Sequence, residues 1–318
     1  MAEVRGNSKR EGWQVKKSDM EKAIYGHAFN LIPQLGPVRI NRLIKACGSA
    51  REAWFADGER LADVEGFGKK LAAQVVAART SIDPEKAWQE LLFKGFNAVT
   101  EKEGLYPSFL REIYDPPPLL YFKGDLKVLK NPCLAVVGSR RHTTYGREIA
   151  YKFAARLAAC GFTIVSGLAR GIDTWAHQGV LTTNGFTAAV LGCGLDICYP
   201  PENRSLMHRI IHQGVVLSEF PPGVEPAASN FPRRNRIISG ISLGTLVVEA
   251  AEKSGALITA SFALEQGREV FAIPGSIANP CSKGCHFLIK EGAKLVDGVD
   301  AILEELPDEY INRLKVNI

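Results

Sequence analysis

The sequence predicts an α/β protein in which a doubly wound, mostly parallel sheet follows a small all-α region. Two observations support this prediction. From Cys133 onward, short apolar segments rich in β-branched residues alternate with helical segments, as in parallel sheets that are covered on both faces. Before the sheet, residues 19–84 have the spacing of short helices separated by turns.

Composition and charge limit the classes of protein to which the chain belongs. The 318 residues are 46% hydrophobic, enough to bury a full core in about two domains. A net charge of +5 permits a polyanionic partner without requiring one. Seven cysteines show no disulfide framework, so we expect a reducing, cytoplasmic compartment. No apolar segment is long enough to span a membrane, and we expect a soluble protein without a membrane partner.

The N-terminal part divides into a polar tail and a helical domain. Residues 1–18 are polar and charged, which predicts a disordered tail, and the helical domain follows at 19–84. Two turns in this domain resemble each other: an apolar residue, a short turn ending in Gly36 or Gly68, then a helix. This pattern indicates tandem helix-hairpin-helix units that hold DNA phosphates, or equally a small helical module for protein contacts. Gln34 replaces the glycine that would come first in such a hairpin.

Residues 85–125 are predicted to be a linker or cap. Trp88–Phe93 has the pattern of a helix, and Asn97–Thr100 that of a short strand. The proline-rich run Asp115–Tyr121 argues against regular structure.

A Rossmann-like domain is predicted over residues 126–306, with a short C-terminal tail at 307–318. Its strands are continuous apolar runs, and Gly146–Ala159 and Ser254–Gln266 are two of the intervening helices. The predicted strands are Leu134–Val137, Thr163–Ser166, Thr187–Leu191, Val215–Ser218, Thr245–Glu249 and Val270–Ile273.

Glycine and polar residues follow the predicted strands, where ligands of doubly wound sheets bind. Because the carboxyl ends of parallel strands meet at one edge, we expect these loops to form a single surface of backbone N–H groups, hydroxyls and guanidinium groups. The residues expected there are Gly138, Ser139 and Arg140 after the first strand, Ser166, Gly167, Arg170 and Gly171 after the second, Gly192 after the third and Ser254 after the fifth.

A basic stretch, FPRRNR, begins at Phe231 and precedes an apolar run at helical spacing. Its positive and polar residues are Arg233, Arg234, Asn235 and Arg236. We place them at the start of a helix, where unpaired N–H groups and guanidinium groups together favour an anion. Phe231 offers a flat face on which a base stacks. The alternative interpretation is a solvated basic loop beside a core phenylalanine.

Two nucleotide-binding signatures are missing from the sequence. The loop after the first strand, VGSRRHTTYG, lacks the G-x-G-x-x-G spacing of dinucleotide sites, and no G-x-x-x-x-G-K-[ST] motif occurs. We therefore expect no cofactor and no ATP hydrolysis. The basic strand-end surface instead suits a polyphosphate chain.

Six ordered blocks closely resemble the DNA processing protein A (DprA, also called Smf) family. They are VGSRRHTTYG, SGLARGID, LGCGLDICYPPEN, FPRRNRIISG, VVEAAEKSGALITA and VFAIPGS. The resemblance covers roughly residues 20–306 and implies an extended Rossmann-like domain after a sterile-alpha-motif or helix-hairpin-helix domain. It also implies a homodimer that binds and protects incoming single-stranded DNA and loads the recombinase RecA in natural transformation. We expect the short tail at 307–318 to lack the winged-helix domain that many members carry.

The resemblance also implies which residues contact DNA. The family's contacts correspond to Arg140, to Phe231 and to the arginines that follow it, while Arg170 and the glycines of 166–171 belong to the same phosphate-binding pocket. Many members carry a lysine just before the FPRRNR block, where this chain has alanine and serine at 227–229.

Two residue clusters suggest metal sites, but each is incomplete. Asp173 and His177 are spaced to ligate a metal from one helix face, yet no third ligand is identifiable. Cys281, Cys285 and His286 lack the remaining ligands of a zinc site. We expect a helix-capping Asp173, a packed His177 and no metal.

One enzymatic alternative remains open. Glu249 ends the fifth predicted strand, and LGTLVVE resembles the glycine-threonine-glutamate signature of nucleotide phosphoribohydrolases. In this hypothesis Glu249 acts at a ribose C1′ while Arg140 and Arg236 hold a 5′-phosphate. The paired glycines of that signature are absent, so DNA binding without catalysis is the main prediction.

Overall fold

The computed structural model describes residues 17–33, 35–312 and 314. The prediction for the tail at 1–18 therefore lies almost entirely outside the described residues, as does the hairpin position Gln34. Lys17 already belongs to the first helix.

Six helices precede the first strand in the described part of the chain. They are α1 (Lys17–Asn30), α2 (Pro37–Cys47), α3 (Ala50–Phe55), α4 (Gly58–Ala62), α5 (Gly68–Arg79) and α6 (Pro84–Phe93). Side-chain caps define several starts: Ser49, Asp57 and Asp83 each accept a hydrogen bond from a backbone N–H in the first turn of α3, α4 and α6. The two similar turns predicted from the sequence do precede helices, α2 and α5.

Nine strands, all within the described residues, form one sheet. They are β1 (Asn97–Thr100), β2 (Leu119–Gly124), β3 (Cys133–Val137), β4 (Thr163–Ser166), β5 (Phe186–Val190), β6 (Gly214–Ser218), β7 (Gly244–Val247), β8 (Glu269–Ala272) and β9 (Lys294–Leu295). Their order is β1-β2-β6-β5-β4-β3-β7-β8-β9, with parallel pairing from β6 to β9 and antiparallel pairing of β2 with β1 and β6. The prediction of a doubly wound, mostly parallel sheet is confirmed.

The segment predicted as a linker or cap contributes two strands to this sheet. β1 and β2 form its antiparallel edge, where Tyr121 of β2 lies opposite Ser218 of β6. The expectation that Asp115–Tyr121 is irregular throughout is therefore wrong. The three prolines end at Pro118, so none occupies a ladder position that needs an N–H, and the apolar residues from Leu119 onward are buried in the sheet.

Helices cover both faces of the sheet. The remaining ones are α7 (Ser108–Arg111), α8 (Thr144–Ala159), α9 (Ile172–Val180), α10 (Arg204–Gln213), α11 (Asn230–Ile241), α12 (Gly255–Glu265), α13 (Lys283–Lys290), α14 (Asp300–Leu303) and α15 (Asp308–Ile311), with short 3-10 turns at Leu126–Lys130, Pro201–Asn203 and Pro280–Ser282. α11, α12 and α13 pack on one face, against Ala135 and Val137 of β3 among others. α8, α9 and the C-terminal helices pack against Leu134 and Val136 on the opposite face.

The N-terminal helices dock directly on the sheet. α1, α6 and α10 share an apolar cluster with residues of β2, β5 and β6. The buried Tyr121 hydroxyl lies 2.8 Å from Nδ1 of His27 and accepts a hydrogen bond from Asn30 at 3.2 Å. A polar contact thus fixes α1 on β2.

The winding of the chain places a crevice at the middle of the sheet. From β3 it proceeds through β4 and β5 to β6 on one side, and then returns to place β7 on the other side of β3. The loops that follow β3 and β7 therefore lead toward opposite edges of the sheet and leave a crevice between them. Ligands of such sheets bind in this crevice.

The described residues contain no helix long and apolar enough to cross a bilayer. All seven cysteines of the sequence lie in the described part of the chain, and each is unpaired.

Candidate nucleic-acid interface

A cavity of about 830 Å³ occupies the crevice. It brings together seven of the residues predicted from the sequence, from two loops and α11. They are Gly138, Ser139, Arg140, Phe231, Arg234, Asn235 and Ser254.

The loop between β3 and α8 presents Arg140 to solvent. Gly138 lies so close to its neighbours that an added Cβ would be 2.6 Å from the Ile172 side chain, so only glycine fits. Ser139 folds the loop back, because its hydroxyl donates to the Arg141 carbonyl at 2.9 Å and accepts from the Arg141 N–H at 3.1 Å. Arg140 is left exposed at the turn.

Glu249 anchors the far end of the same loop. Its carboxylate accepts hydrogen bonds from the Thr143 backbone N–H at 2.9 Å and from the Thr143 hydroxyl at 2.6 Å. Thr143 in turn caps α8 by accepting from the Gly146 N–H at 3.1 Å. Glu249 is only 2% exposed and does not line the cavity, so no substrate reaches the carboxylate in this arrangement.

An aromatic ring borders the same loop on its other side. The indole N–H of Trp175 donates to Nε2 of His142 at 2.9 Å, and the guanidinium of Arg147 lies 5.4 Å from the Trp175 ring centroid. The orientation of Trp175 is thus linked to the loop that carries Arg140.

Phe231 forms part of the cavity wall and is half-buried. The Arg140 guanidinium carbon lies 5.4 Å from its ring centroid, and the Tyr199 ring lies 5.4 Å away at an interplanar angle of 36°. Gly192 packs under the ring, where an added Cβ would be 2.9 Å from Cδ1 of Phe231. Gly192 therefore makes room for Phe231 rather than lining the cavity.

Arg234 lies at the cavity but is almost fully buried. Its Nη1 donates to the Gly167 carbonyl at 2.6 Å and also to the Val190 carbonyl. Burial lowers the pKa of Arg234 to about 10, although the nearby Asp173 carboxylate acts in the opposite direction. These contacts connect α11 with the ends of β4 and β5, so Arg234 holds the floor of the crevice together.

Arg233 and Arg236 lie on the opposite side of α11, away from the crevice. Both donate to the buried Glu219 carboxylate, at 3.0 Å and 2.8 Å, and Arg236 also pairs with Asp115 at 3.1 Å. The reason is helical spacing, because residues three apart share a face: Phe231 and Arg234 form one face of α11, and Arg233 and Arg236 the other. The expectation that all these arginines line one binding edge is therefore not supported by the geometry.

A family profile described as DNA recombination-mediator protein A matches residues 97–307. The chain belongs to this family. Protein Smf of Synechocystis sp. is 41% identical over 286 residues, which are 89% of this chain and 72% of that protein. DNA processing protein DprA of Streptococcus pneumoniae is 48% identical over 213 residues, 67% of this chain and 75% of that protein.

Solved structures of the family show the same fold. The X-ray structure of DprA from Streptococcus pneumoniae has a TM-score of 0.78 at 39% identity and covers 89% of this chain and 97% of that chain. A DprA structure from Helicobacter pylori, described in terms of its single-stranded DNA binding mode, has a TM-score of 0.61 at 29% identity and covers 67% of this chain and 97% of that chain.

The loop after β4, which the DprA resemblance assigns to phosphate binding, has mainly packing contacts. The Ser166 hydroxyl donates to the Val136 carbonyl at 2.7 Å, and Gly171, with φ of 82°, lies where a Cβ would be 2.2 Å from the Ser139 carbonyl oxygen. Asp173 does not cap α9 but accepts from the Gly167 N–H at 3.1 Å inside the loop. Arg170 is exposed outside the cavity and is paired with Glu202.

The other residues that line the cavity include Arg141, Tyr199 and Lys253, which were not in the set predicted to contact DNA. Arg141 and Lys253 are exposed and, like Arg140, have no ion-pair partner among the described residues. Both follow strand ends, so the rule that selected Arg140 also applies to them. Tyr199 is 37% exposed and lies in the loop after β5.

Proposed function

We propose that this DprA-family protein binds single-stranded DNA in the crevice and does so without catalysing a reaction. One observation carries the proposal: the exposed Arg140 guanidinium lies against Phe231 on the wall of a roomy cavity and has no ion-pair partner in the described chain. Unpaired cations beside an aromatic surface are typical of proteins that hold phosphates and stack bases of a flexible strand.

The cavity residues divide between phosphate and base contacts. Arg140, Arg141 and Lys253 would hold phosphates, because they are exposed and form no ion pair within the described residues. Tyr199 and Phe231 offer the aromatic faces for bases. Base stacking contributes about 1–3 kcal/mol per base and accepts any sequence.

The same proposal includes three further properties that the family resemblance implies. The protein forms a homodimer, protects the incoming strand and loads RecA in natural transformation. The Helicobacter pylori DprA structure, which concerns a single-stranded DNA binding mode, supports the DNA-binding step on which these functions depend. Sedimentation of the purified protein, followed by capture of purified RecA on its oligo-dT complex, tests these functions.

The geometry does not favour the phosphoribohydrolase alternative. Glu249 is buried against Thr143, and Arg236 is paired with Glu219 and Asp115. Neither residue is available at the cavity. Incubation with nucleoside monophosphates should therefore release no free base.

Titration with oligo-dT over a series of salt concentrations tests the proposal. Arg140→Ala should weaken binding and reduce the salt slope by about 0.7, since one phosphate contact is lost. Phe231→Ala should weaken binding by about 1–3 kcal/mol with an unchanged slope.

Arg156→Ala is the matched control for charge. Arg156 is an exposed arginine in the last turn of α8, at the end of that helix away from the crevice. The proposal is wrong if oligo-dT does not bind, or if Arg156→Ala and Arg140→Ala have equal effects.

A further inference from the structure

A second cavity, of about 370 Å³, lies on the other side of the loop that carries Tyr199. Tyr199 lines the crevice, whereas its neighbour Cys198 lines the second cavity together with Leu195 and Asp196. A single segment of chain therefore separates the two cavities.

Basic side chains surround the second cavity. Lys123 enters from β2 and lies 5.2 Å from the Phe96 ring centroid, while Arg204 and His208 project from adjacent turns of α10. None of the three has an ion-pair partner in the part of the chain that the structure describes. Arg204 is exposed and Lys123 is half-buried, so both charges are accessible to a ligand.

The nearby acidic groups offset only part of this positive charge. Asp196 lines the cavity as one carboxylate against the two cations Lys123 and Arg204, and its Oδ1 also accepts a hydrogen bond from the Gly223 N–H at 2.9 Å, which holds two loops together. Glu202 is paired with Arg170 at the rim. The cavity therefore retains positive charge above an apolar floor, which is formed by Phe96, Leu195, Met207 and Ile211.

We propose that the second cavity is a further subsite for the same single strand, which leaves the crevice over Tyr199. Lys123 and Arg204 contact its phosphates, and the apolar floor receives a base. This inference rests on the proposed function, and it adds a path for the strand from the carboxyl end of β5 to α10. The chemistry required is a phosphodiester backbone with unpaired bases, since a cation rim over an apolar floor fits both parts of a nucleotide.

Oligonucleotides of different length test the subsite. A strand of about 5 nucleotides fills the crevice alone, and one of about 15 nucleotides reaches both cavities, within the range of known single-strand site sizes. The double variant Lys123→Ala/Arg204→Ala should bind the long strand about five- to tenfold more weakly, with a salt slope reduced by about 1.4 for two phosphates. Binding of the short strand should not change.

Arg209→Ala is the matched control, because Arg209 lies on the same helix but donates to the Leu181 carbonyl at 3.5 Å, away from the cavity. It should leave both affinities unchanged. The double variant should unfold at the same temperature as the unmodified protein, since neither side chain is fully buried.

The outcomes distinguish the subsite from the proposed function. If neither strand binds the unmodified protein, both proposals fail. Only the subsite is overturned if both strands bind the unmodified protein and Arg140→Ala weakens the binding of both, but the double variant lacks the selective loss. That is the case if the double variant binds like Arg209→Ala, or if it binds the two strands more weakly by equal factors. A loss confined to the long strand supports it.

Discussion

Arg140 and Arg234 carry the same charged group but contribute differently to the crevice. Arg140 is exposed against Phe231, whereas Arg234 is buried and bonded to the carbonyls of Gly167 and Val190. A guanidinium whose donors are already used inside the protein holds structure together, and one exposed to solvent remains available for a phosphate.

This difference predicts that two alanine substitutions affect stability to very different extents. Arg234→Ala should lower the free energy of unfolding by about 3 kcal/mol, because two buried carbonyls lose their donor and Asp173 loses the cation that interacts with it most strongly. Arg140→Ala should change it by less than about 0.5 kcal/mol, since the residue is exposed. Urea denaturation measures both values, and equal losses would contradict the assignment.

The sequence predicted which residues surround the site more reliably than it predicted the directions in which their side chains point. FPRRNR was correctly placed at the start of a helix, and helical spacing alone separates Phe231 and Arg234 from Arg233 and Arg236. What the sequence could not show is that Glu219, at the end of β6, and Asp115, before β2, meet on the second face. Those contacts depend on how distant strands pair.

At the scale of elements, one contact connects the two strands that border the crevice. Glu249 follows β7 and holds Thr143, which ends the loop that follows β3. The loop that presents Arg140 is thus fixed by a residue from the adjacent strand. The position of this loop should affect DNA affinity even though neither Glu249 nor Thr143 contacts DNA in the proposed complex.

Thr143→Val tests this coupling. The substitution removes the hydroxyl that bonds Glu249 and caps α8, which should lower the free energy of unfolding by about 1 kcal/mol. Oligo-dT affinity should fall without any change in salt slope, because no phosphate contact is removed. Thr143→Ser, which keeps the hydroxyl, is the control, and a loss of affinity equal to that of Thr143→Val would contradict the argument.

The parallel strands were the most predictable elements, because a strand buried on both faces must be apolar throughout. Leu134–Val137 and Thr163–Ser166 agree with β3 and β4 to within one residue. The predicted strand Thr245–Glu249 extends two residues beyond β7, because hydrogen-bond pairing rather than hydrophobicity sets where a strand ends. The role of β1 and β2 was missed, since an antiparallel edge after three prolines leaves little periodic signal.

At the scale of the whole molecule, a buried histidine fixes the N-terminal helices on the sheet. Burial lowers the pKa of His27 to about 4, with a backbone hydrogen bond to Ala87 acting in the opposite direction. The ring is therefore neutral in the folded protein at neutral pH, and Nδ1 is free to accept the hydrogen bond of the Tyr121 hydroxyl. Protonation would remove that acceptor.

Acid should consequently destabilise the protein through His27. Below the ordinary pKa of 6.5 the unfolded chain binds a proton that the folded chain binds only near pH 4, so stability falls as the pH drops through this window. The full shift corresponds to about 3 kcal/mol. Free energies of unfolding between pH 7 and pH 4 should decrease less steeply for His27→Asn, which cannot take up the proton; identical pH dependence would exclude this role.

The hydrogen bond between Trp175 and His142 gives the protein an intrinsic optical reporter. His142 belongs to the loop that carries Arg140, so the fluorescence emission of the Trp175 indole depends on the position of that loop. Addition of oligo-dT should shift tryptophan fluorescence, and Trp175→Phe should abolish the shift while leaving the affinity intact. Occupancy of the crevice would then be visible in real time without any label.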